Sequence, residues 1–249
     1  MTTEFFLLLA IGFFAQVIDG ALGMAYGVLT NAAMLSIGIA PAQASALVHT
    51  AEIFTTGASA ASHIYHRNVD WRFVSRLGVA GVLGAILGAW VLSNLDVAAA
   101  RRYVYIYLLL MGAYILWRSI RIAPIRARPA GWLPPAGFAA GFLDASGGGG
   151  WGPVATSWLV GAGLSPRQAI GSVNTAEFFV TVAAATTFLV ELGGSSLQML
   201  VPLVLGGIFA APLGGWVAKR MPARPLMFAV GALIVALAAW QLARAFKFV

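Results

Sequence analysis

The chain contains two copies of one sequence pattern, separated by 125 residues. PAQASALVHTAEIFTT at 41–56 aligns without a gap with PRQAIGSVNTAEFFVT at 166–181, and nine of the sixteen positions are identical. The same offset pairs Asp19 with Asp144. A bias toward alanine and glycine would not match Pro, Gln, Asp and Glu at one fixed offset. The chain is therefore an internal duplication, and its fold must be built from two related halves.

The apolar character of both halves indicates a membrane protein. Of the 249 residues, 60% are hydrophobic and only 9% are charged, whereas a soluble domain carries about 25% charged residues. A soluble protein of this size could not bury so much apolar surface, so we expect an all-α integral membrane protein in the lipid bilayer. The chain has no cysteine, which excludes thiolate sites. Its net charge of +7 comes from basic residues scattered among loops, which indicates membrane orientation and no nucleic-acid partner.

Each half contains three apolar segments of about 20 residues, the length that crosses a bilayer. They lie at 43–64, 72–94 and 98–118, and at 167–190, 196–218 and 224–246. Each half opens with two shorter stretches around a glycine-rich break: 4–18 and 25–39 around DGALGMAYG, then 132–143 and 151–164 around DASGGGGWGP. We expect each pair to form either a re-entrant hairpin or two short spans.

Either form adds an even number of membrane crossings to the three long segments of a half, so each half crosses the membrane an odd number of times. The prediction is two inverted-topology repeats, 1–120 and 132–249, joined by a basic linker at 121–131. This topology puts eleven of the fifteen Lys and Arg residues on one side. Cytoplasmic loops are enriched in Lys and Arg. We therefore expect a multi-pass protein of the cell membrane with a cytoplasmic linker and both termini on the opposite side.

The breaks at 19–25 and 144–152 form the predicted substrate site. Glycine-interrupted segments at matching positions of inverted repeats indicate a transport site, and a helix N-terminus after each break suits an anion. The alternative is that these glycines only allow close packing. Thr50 and Thr175 would add hydroxyl groups to this site; the alternative is that each hydroxyl bonds to the backbone of its own helix. The candidate substrate-binding residues are Gly23, Tyr26, Gly27, Thr50, Gly148, Gly149, Gly150, Trp151, Gly152, Asn174 and Thr175.

One glutamate lies near the centre of a predicted span in each half, Glu52 and Glu177. A charged carboxylate there costs at least about 2.5 kcal/mol, and burial favours its protonated form. Both are therefore candidates for proton coupling; the alternative is a neutral glutamate that ties helices together. His49 lies on the same helical face as Glu52, either in a proton path or as a structural donor. Asp19 and Asp144 either cap the N–H groups that follow or line the pathway.

Other polar and small residues carry no separate site. His63 and His66 lie at a helix end and are predicted to be interfacial, with no metal ligand among them. A glycine stripe at 81, 84 and 88 suits close helix packing, either inside the protomer or in a homo-oligomer. No Walker loop, Ser/His nucleophile or HExxH motif is present. We therefore predict a protein that is not an enzyme and needs no cofactor.

The two glycine-rich motifs, each followed by Pro, Gln and a Thr-Ala-Glu helix, resemble the TauE/SafE family over roughly 4–246. The resemblance implies a secondary transporter that moves sulfite, sulfoacetate or related organosulfur anions, in either direction, with coupling to protons. The first break has fewer glycines than the second, which favours the second half as the one that holds more of the anion. From the residues alone, two alternatives remain: a cation or metal transporter that uses the paired glutamates, and a membrane scaffold without a pathway.

Overall fold

The computed structural model describes residues 2–22, 24–120, 130–161, 163–194 and 197–246. Across these ranges the chain is all-α, as predicted, with no strand. The first half contains α1 (Thr2–Leu22), α2 (Tyr26–Ser36), α3 (Pro41–Tyr65), α4 (Trp71–Asn94) and α5 (Val97–Ile120). The second contains α6 (Leu133–Gly147), α7 (Trp151–Gly161), α8 (Pro166–Leu192), α9 (Leu200–Arg220) and α10 (Ala223–Ala245). Gly23 and residues 121–129 of the predicted linker lie outside the described residues.

Within the described ranges, five helices are long and apolar enough to cross a membrane: α1, α4, α5, α8 and α10. Large apolar side chains on these helices are exposed, including Phe14 at 64%, Leu110 at 65% and Val190 at 77%. A monomeric soluble protein does not expose apolar side chains on this scale. The surface is therefore that of a multi-pass membrane protein whose outer side chains face lipid.

The first helix is longer than the predicted stretch at 4–18. α1 has 21 residues and is about 31 Å long at 1.5 Å per residue, so it can span the membrane. It continues past Asp19, whose carboxylate accepts a hydrogen bond from the amide of Tyr26, and ends at Leu22. The prediction of a short first stretch was wrong for α1. α6 is shorter, with 15 residues, and α2 and α7, which we call the half-helices, have 11 residues each.

The two halves interlock. The first helix of each half packs against the fourth helix of the other, α1 on α9 and α6 on α4, and the third and fifth helices pair as α3 with α8 and α5 with α10. In α3, His49 lies 6.0 Å from the ring of Phe188, whereas Ser59, later in α3, is bonded to Asn174, earlier in α8. The equivalent helices α3 and α8 therefore run antiparallel.

The glycine stripe of α4 packs inside the protomer. A Cβ on Gly84 or Gly88 would overlap with the backbone of Phe138 or Phe142 in α6, and one on Gly81 would lie 2.7 Å from the Trp151 ring. Small residues are needed where helix backbones approach this closely. The stripe therefore holds the start of the second half against α4 and fixes the position of the second break.

Candidate functional site

The two breaks meet with backbone against backbone. A Cβ on Gly27, in the first turn of α2, would lie 2.8 Å from the Cα of Gly149. Gly149 itself has a φ of +128°, a torsion that residues with a side chain rarely adopt. Glycine at both positions therefore brings the N-terminal ends of the two half-helices into contact. We call this contact between Gly27 and Gly149 the crossing of the two breaks.

Each half-helix is capped by the aspartate seven residues before its start. Asp19 Oδ1 accepts a hydrogen bond from the amide of Tyr26 at 3.1 Å, and Asp144 Oδ1 accepts one from the amide of Trp151 at 2.8 Å. These two bonds join positions that the repeat makes equivalent. Of the two roles considered for the aspartates, capping is thus observed in both halves.

The two breaks also share a positive φ at equivalent positions of the repeat. Ala25 has a φ of +98°, and Gly150, 125 positions later, has a φ of +133°. A side chain makes the left-handed region unfavourable by roughly 1–2 kcal/mol. The first break therefore retains, with an alanine, the backbone shape that glycine provides in the second.

The second break is fixed by side chains from other helices. Asn31 Nδ2 donates to the carbonyl oxygen of Gly147 at 2.8 Å, and the Tyr107 hydroxyl donates to the carbonyl oxygen of Gly149 at 2.6 Å. The carbonyls on either side of Gly148 are thus already bonded. Asn31 and Tyr107 were not predicted as site residues, since their one signal in the sequence is a polar group within an apolar segment.

A cavity of about 220 Å³ lies beside the crossing and has three kinds of lining group. Residues 25–27 at the first break and Gly150 and Gly152 at the second line it, and the glycines can do so only with backbone. Carboxyl groups come from Asp19, Glu52 and Glu177. Other polar side chains also line the cavity: Gln16, Thr55, Thr56, Ser59, Asn174 and His63. Among the residues described, neither Lys nor Arg lines this cavity.

Three buried polar atoms of lining residues have no hydrogen-bond partner among the described residues: Glu52 Oε2, the Tyr26 hydroxyl oxygen and Gln16 Oε1. Glu52 is only 5% exposed and Tyr26 4%. The other carboxyl oxygen, Glu52 Oε1, is 3.0 Å from where a Cβ on Gly27 would be. Buried polar groups in native proteins are nearly always paired. The three atoms therefore mark a place where a proton or a bound molecule could complete the site.

Several predicted substrate-binding residues do not line the cavity. The Trp151 ring is buried, and its Nε1 donates to the carbonyl oxygen of Val173 at 3.2 Å. The hydroxyls of Thr50 and Thr175 each donate, at 2.7 Å, to a carbonyl of their own helix. Gly148 and Gly149 shape the crossing without lining the cavity. Gly23 lies outside the described residues.

His49 and Asp144 pair with each other outside the cavity lining. His49 Nε2 is 3.1 Å from Asp144 Oδ2, and the two side chains are 0% and 3% exposed. His49 Nδ1 lies 2.8 Å from the carbonyl oxygen of Ser45. The pair thus connects α3 to the aspartate that caps α7.

Five polar lining residues were not identified as site residues from the sequence: Gln16, Thr55, Thr56, Ser59 and His63. His63 was predicted to be interfacial, but it lies in the last turn of α3 and reaches the cavity. Asn174, which was predicted, donates from Nδ2 to Ser59 Oγ at 3.0 Å across the α3–α8 contact. Because equivalent helices run antiparallel, the end of α3 and the start of α8 line the cavity together.

Comparison with known proteins agrees with the resemblance noted in the sequence. The family model described as Sulfite exporter TauE/SafE matches residues 8–240. The chain is 43% identical over 237 residues to a "Probable membrane transporter protein YtnM" of Bacillus subtilis (strain 168). The matched region covers 90% of this chain and 78% of that protein. No solved structure matches. The chain belongs to the TauE/SafE family, and it is a membrane transporter, not an enzyme.

Proposed function

We propose that this protein is a proton-coupled secondary transporter of small organosulfur anions, such as sulfite, sulfoacetate or other sulfonates, in the cell membrane. The observation that carries the proposal is that the N-terminal ends of both half-helices line one cavity. Each such end has roughly half a positive charge and unpaired N–H groups. A small oxyanion in the cavity would therefore have a positively polarised helix end within reach in either half.

The inverted topology belongs to the same proposal. Two repeats of opposite orientation, 1–120 and 132–249, would have the linker in the cytoplasm and both termini on the other side. The antiparallel course of α3 and α8 supports opposite orientation. Gly112 in α5 contacts Ile234 in α10, and Gly231 contacts Leu116, so α5 and α10 also run antiparallel.

The bonding at the second break favours an anion over a cation. Cation sites at helix breaks use backbone carbonyls, but the carbonyls of Gly147 and Gly149 already accept bonds from Asn31 and Tyr107. The three carboxyl groups of the cavity favour the cation alternative. However, within the described part of the chain, no three His, Cys, Asp or Glu side chains are grouped as metal ligands.

The carboxyl groups explain why protons would accompany the anion. A unit anion about 6 Å from one ionised carboxylate is repelled by about 3 kcal/mol at an effective dielectric constant near 20. Protonation of Glu52, Glu177 or Asp19 removes this repulsion, so proton and anion each favour binding of the other. We assign proton uptake to Glu52 and Glu177 first, since they lie deepest in their spans.

The test is uptake by the purified protein in liposomes, with an imposed pH gradient and a panel of sulfite, sulfoacetate, other sulfonates, sulfate and thiosulfate. The wild type should accumulate at least one organosulfur anion when the gradient is present. In Glu52→Gln, the gradient should no longer drive accumulation, while the assembled protein remains intact. Glu191→Gln is the matched control, because Glu191 is exposed and bonds to Asn94 away from the cavity.

Each contrary result has a distinct meaning. Unchanged proton dependence in Glu52→Gln would remove Glu52 from the mechanism. If no anion of the panel is transported while a divalent cation is, the cation alternative replaces the proposal.

A further inference from the structure

We propose that His49 is a positioning residue that neutralises Asp144 and thereby makes the N-terminal end of α7, rather than that of α2, the end of the cavity that holds the anion. This rests on the proposed function, because it names which end of the same cavity takes the substrate. The greater glycine content of the second break favours the same end, and the contact between His49 and Asp144 supplies an electrostatic reason for it.

The hydrogen on His49 Nδ1 is fixed by its neighbours. Nδ1 lies 2.8 Å from the carbonyl oxygen of Ser45, and a carbonyl oxygen only accepts, so Nδ1 must carry a hydrogen. Ser45 Oγ is 3.3 Å from the same nitrogen, but its own hydrogen is donated to the carbonyl oxygen of Ala145 at 2.7 Å. The hydroxyl therefore also faces Nδ1 as an acceptor.

One further proton lies between His49 and Asp144. The 3.1 Å contact between Nε2 and Oδ2 requires a hydrogen on one of the two atoms. If Nε2 carries it, an imidazolium faces a carboxylate; if Oδ2 carries it, both groups are neutral. In either case the pair has no net charge. Asp144 can then cap Trp151 through Oδ1 without adding a negative charge to the start of α7.

The other half lacks this compensation. The repeat puts Asn174 at the position of His49, and an amide cannot take up a proton. Asn174 donates to Ser59 instead, and Asp19 lines the cavity. Of the residues described, the cavity has no Lys or Arg in its lining and a single imidazole, that of His63. The carboxylate that caps α2 is thus free to oppose the positive end of that helix.

The unpartnered carboxyl oxygen of Glu52 supports the same assignment. Glu52 is buried, lines the cavity, and lies against Gly27 in the first turn of α2. Two carboxyl groups, Asp19 and Glu52, therefore belong to the α2 end, while Glu177 lines the same cavity from α8. The α7 end contributes the backbone of Gly150 and Gly152. An anion is repelled less at α7, where the capping aspartate is neutralised.

The experiment compares His49→Gln with the double variant His49→Gln/Asp144→Asn in the same liposome assay, using the sulfonate or sulfite that the wild type transports. Glutamine retains a donor toward Asp144 but leaves its charge uncompensated. We expect KM to rise at least about tenfold with a smaller change in kcat, because one extra charge within about 12 Å of the anion has at least that effect at an effective dielectric constant near 20. In the double variant the pair is neutral again and both bonds can form, so KM should return to within about threefold of wild type.

A merely structural role for His49 predicts the reverse, with the double variant at least as impaired as the single one. An unchanged KM in His49→Gln, or no recovery in the double variant, would overturn the proposal. If His49→Gln cannot be reconstituted into liposomes, the double variant alone tests the proposal. Its two side chains are neutral, so a KM tenfold above that of the wild type would contradict the charge argument. Absence of any organosulfur flux in the wild type would instead overturn the proposed function.

Discussion

The crossing of the two breaks leaves no room for a side chain at Gly149, so Gly149→Ala should destabilise the protein strongly. Its φ of +128° would strain an alanine by roughly 1–3 kcal/mol. The added Cβ would also overlap with backbone atoms of Gly27 and Val28, which cannot rotate away as a side chain would. Overpacking of this kind costs roughly a further 1–3 kcal/mol, for a total of about 4 kcal/mol.

The assay is thermal unfolding of the purified protein in detergent, followed by tryptophan fluorescence and by size-exclusion chromatography after heating. For a chain of this length about 4 kcal/mol corresponds to a Tm lower by about 8–16 °C. Gly38→Ala is the matched control, because Gly38 also has a positive φ, +96°, but a Cβ there would meet no atom within 4 Å. It should lower Tm by only about 2–4 °C, for about 1 kcal/mol of torsional strain. Equal shifts in the two variants would refute the tight crossing.

Two further substitutions test the backbone of the first break and the role of a predicted hydroxyl. Ala25→Gly should raise Tm by about 2–4 °C, since glycine relieves about 1 kcal/mol of strain at a φ of +98°; a lower Tm would contradict strain at this position. Thr175→Val should leave KM for the transported anion within about twofold of wild type, because the Thr175 hydroxyl is bonded to the carbonyl of Gly171 in its own helix. A tenfold rise in KM would instead put that hydroxyl at the substrate.

Features that depend on local sequence could be predicted well. Glycine content located the breaks to within a few residues, and the fixed offset identified Asp19 and Asp144 as equivalent before their capping bonds were known. The end of α1 was less predictable. Apolar character put the end of the first stretch at residue 18, whereas α1 includes Asp19 and continues to Leu22.

Features that depend on distant helices could not be predicted. Trp151 follows the second break directly, yet its ring packs on Gly81 of α4 and does not reach the cavity. Tyr107 holds the break from α5, and no spacing in the sequence connects it to Gly149. The pairing of His49 with Asp144 likewise joins residues from different halves. Such contacts follow from how the halves interlock, which the repeat alone does not specify.

The contact between Gly27 and Gly149 restricts how the molecule can change shape during a transport cycle. Two backbones that already touch can roll or slide on each other, but they cannot move closer. We therefore expect the outer helices to rotate around this point when the cavity changes the face to which it opens. The pivot of the motion would then lie beside the substrate, and the tips of the two half-helices could not come closer at any stage of the cycle.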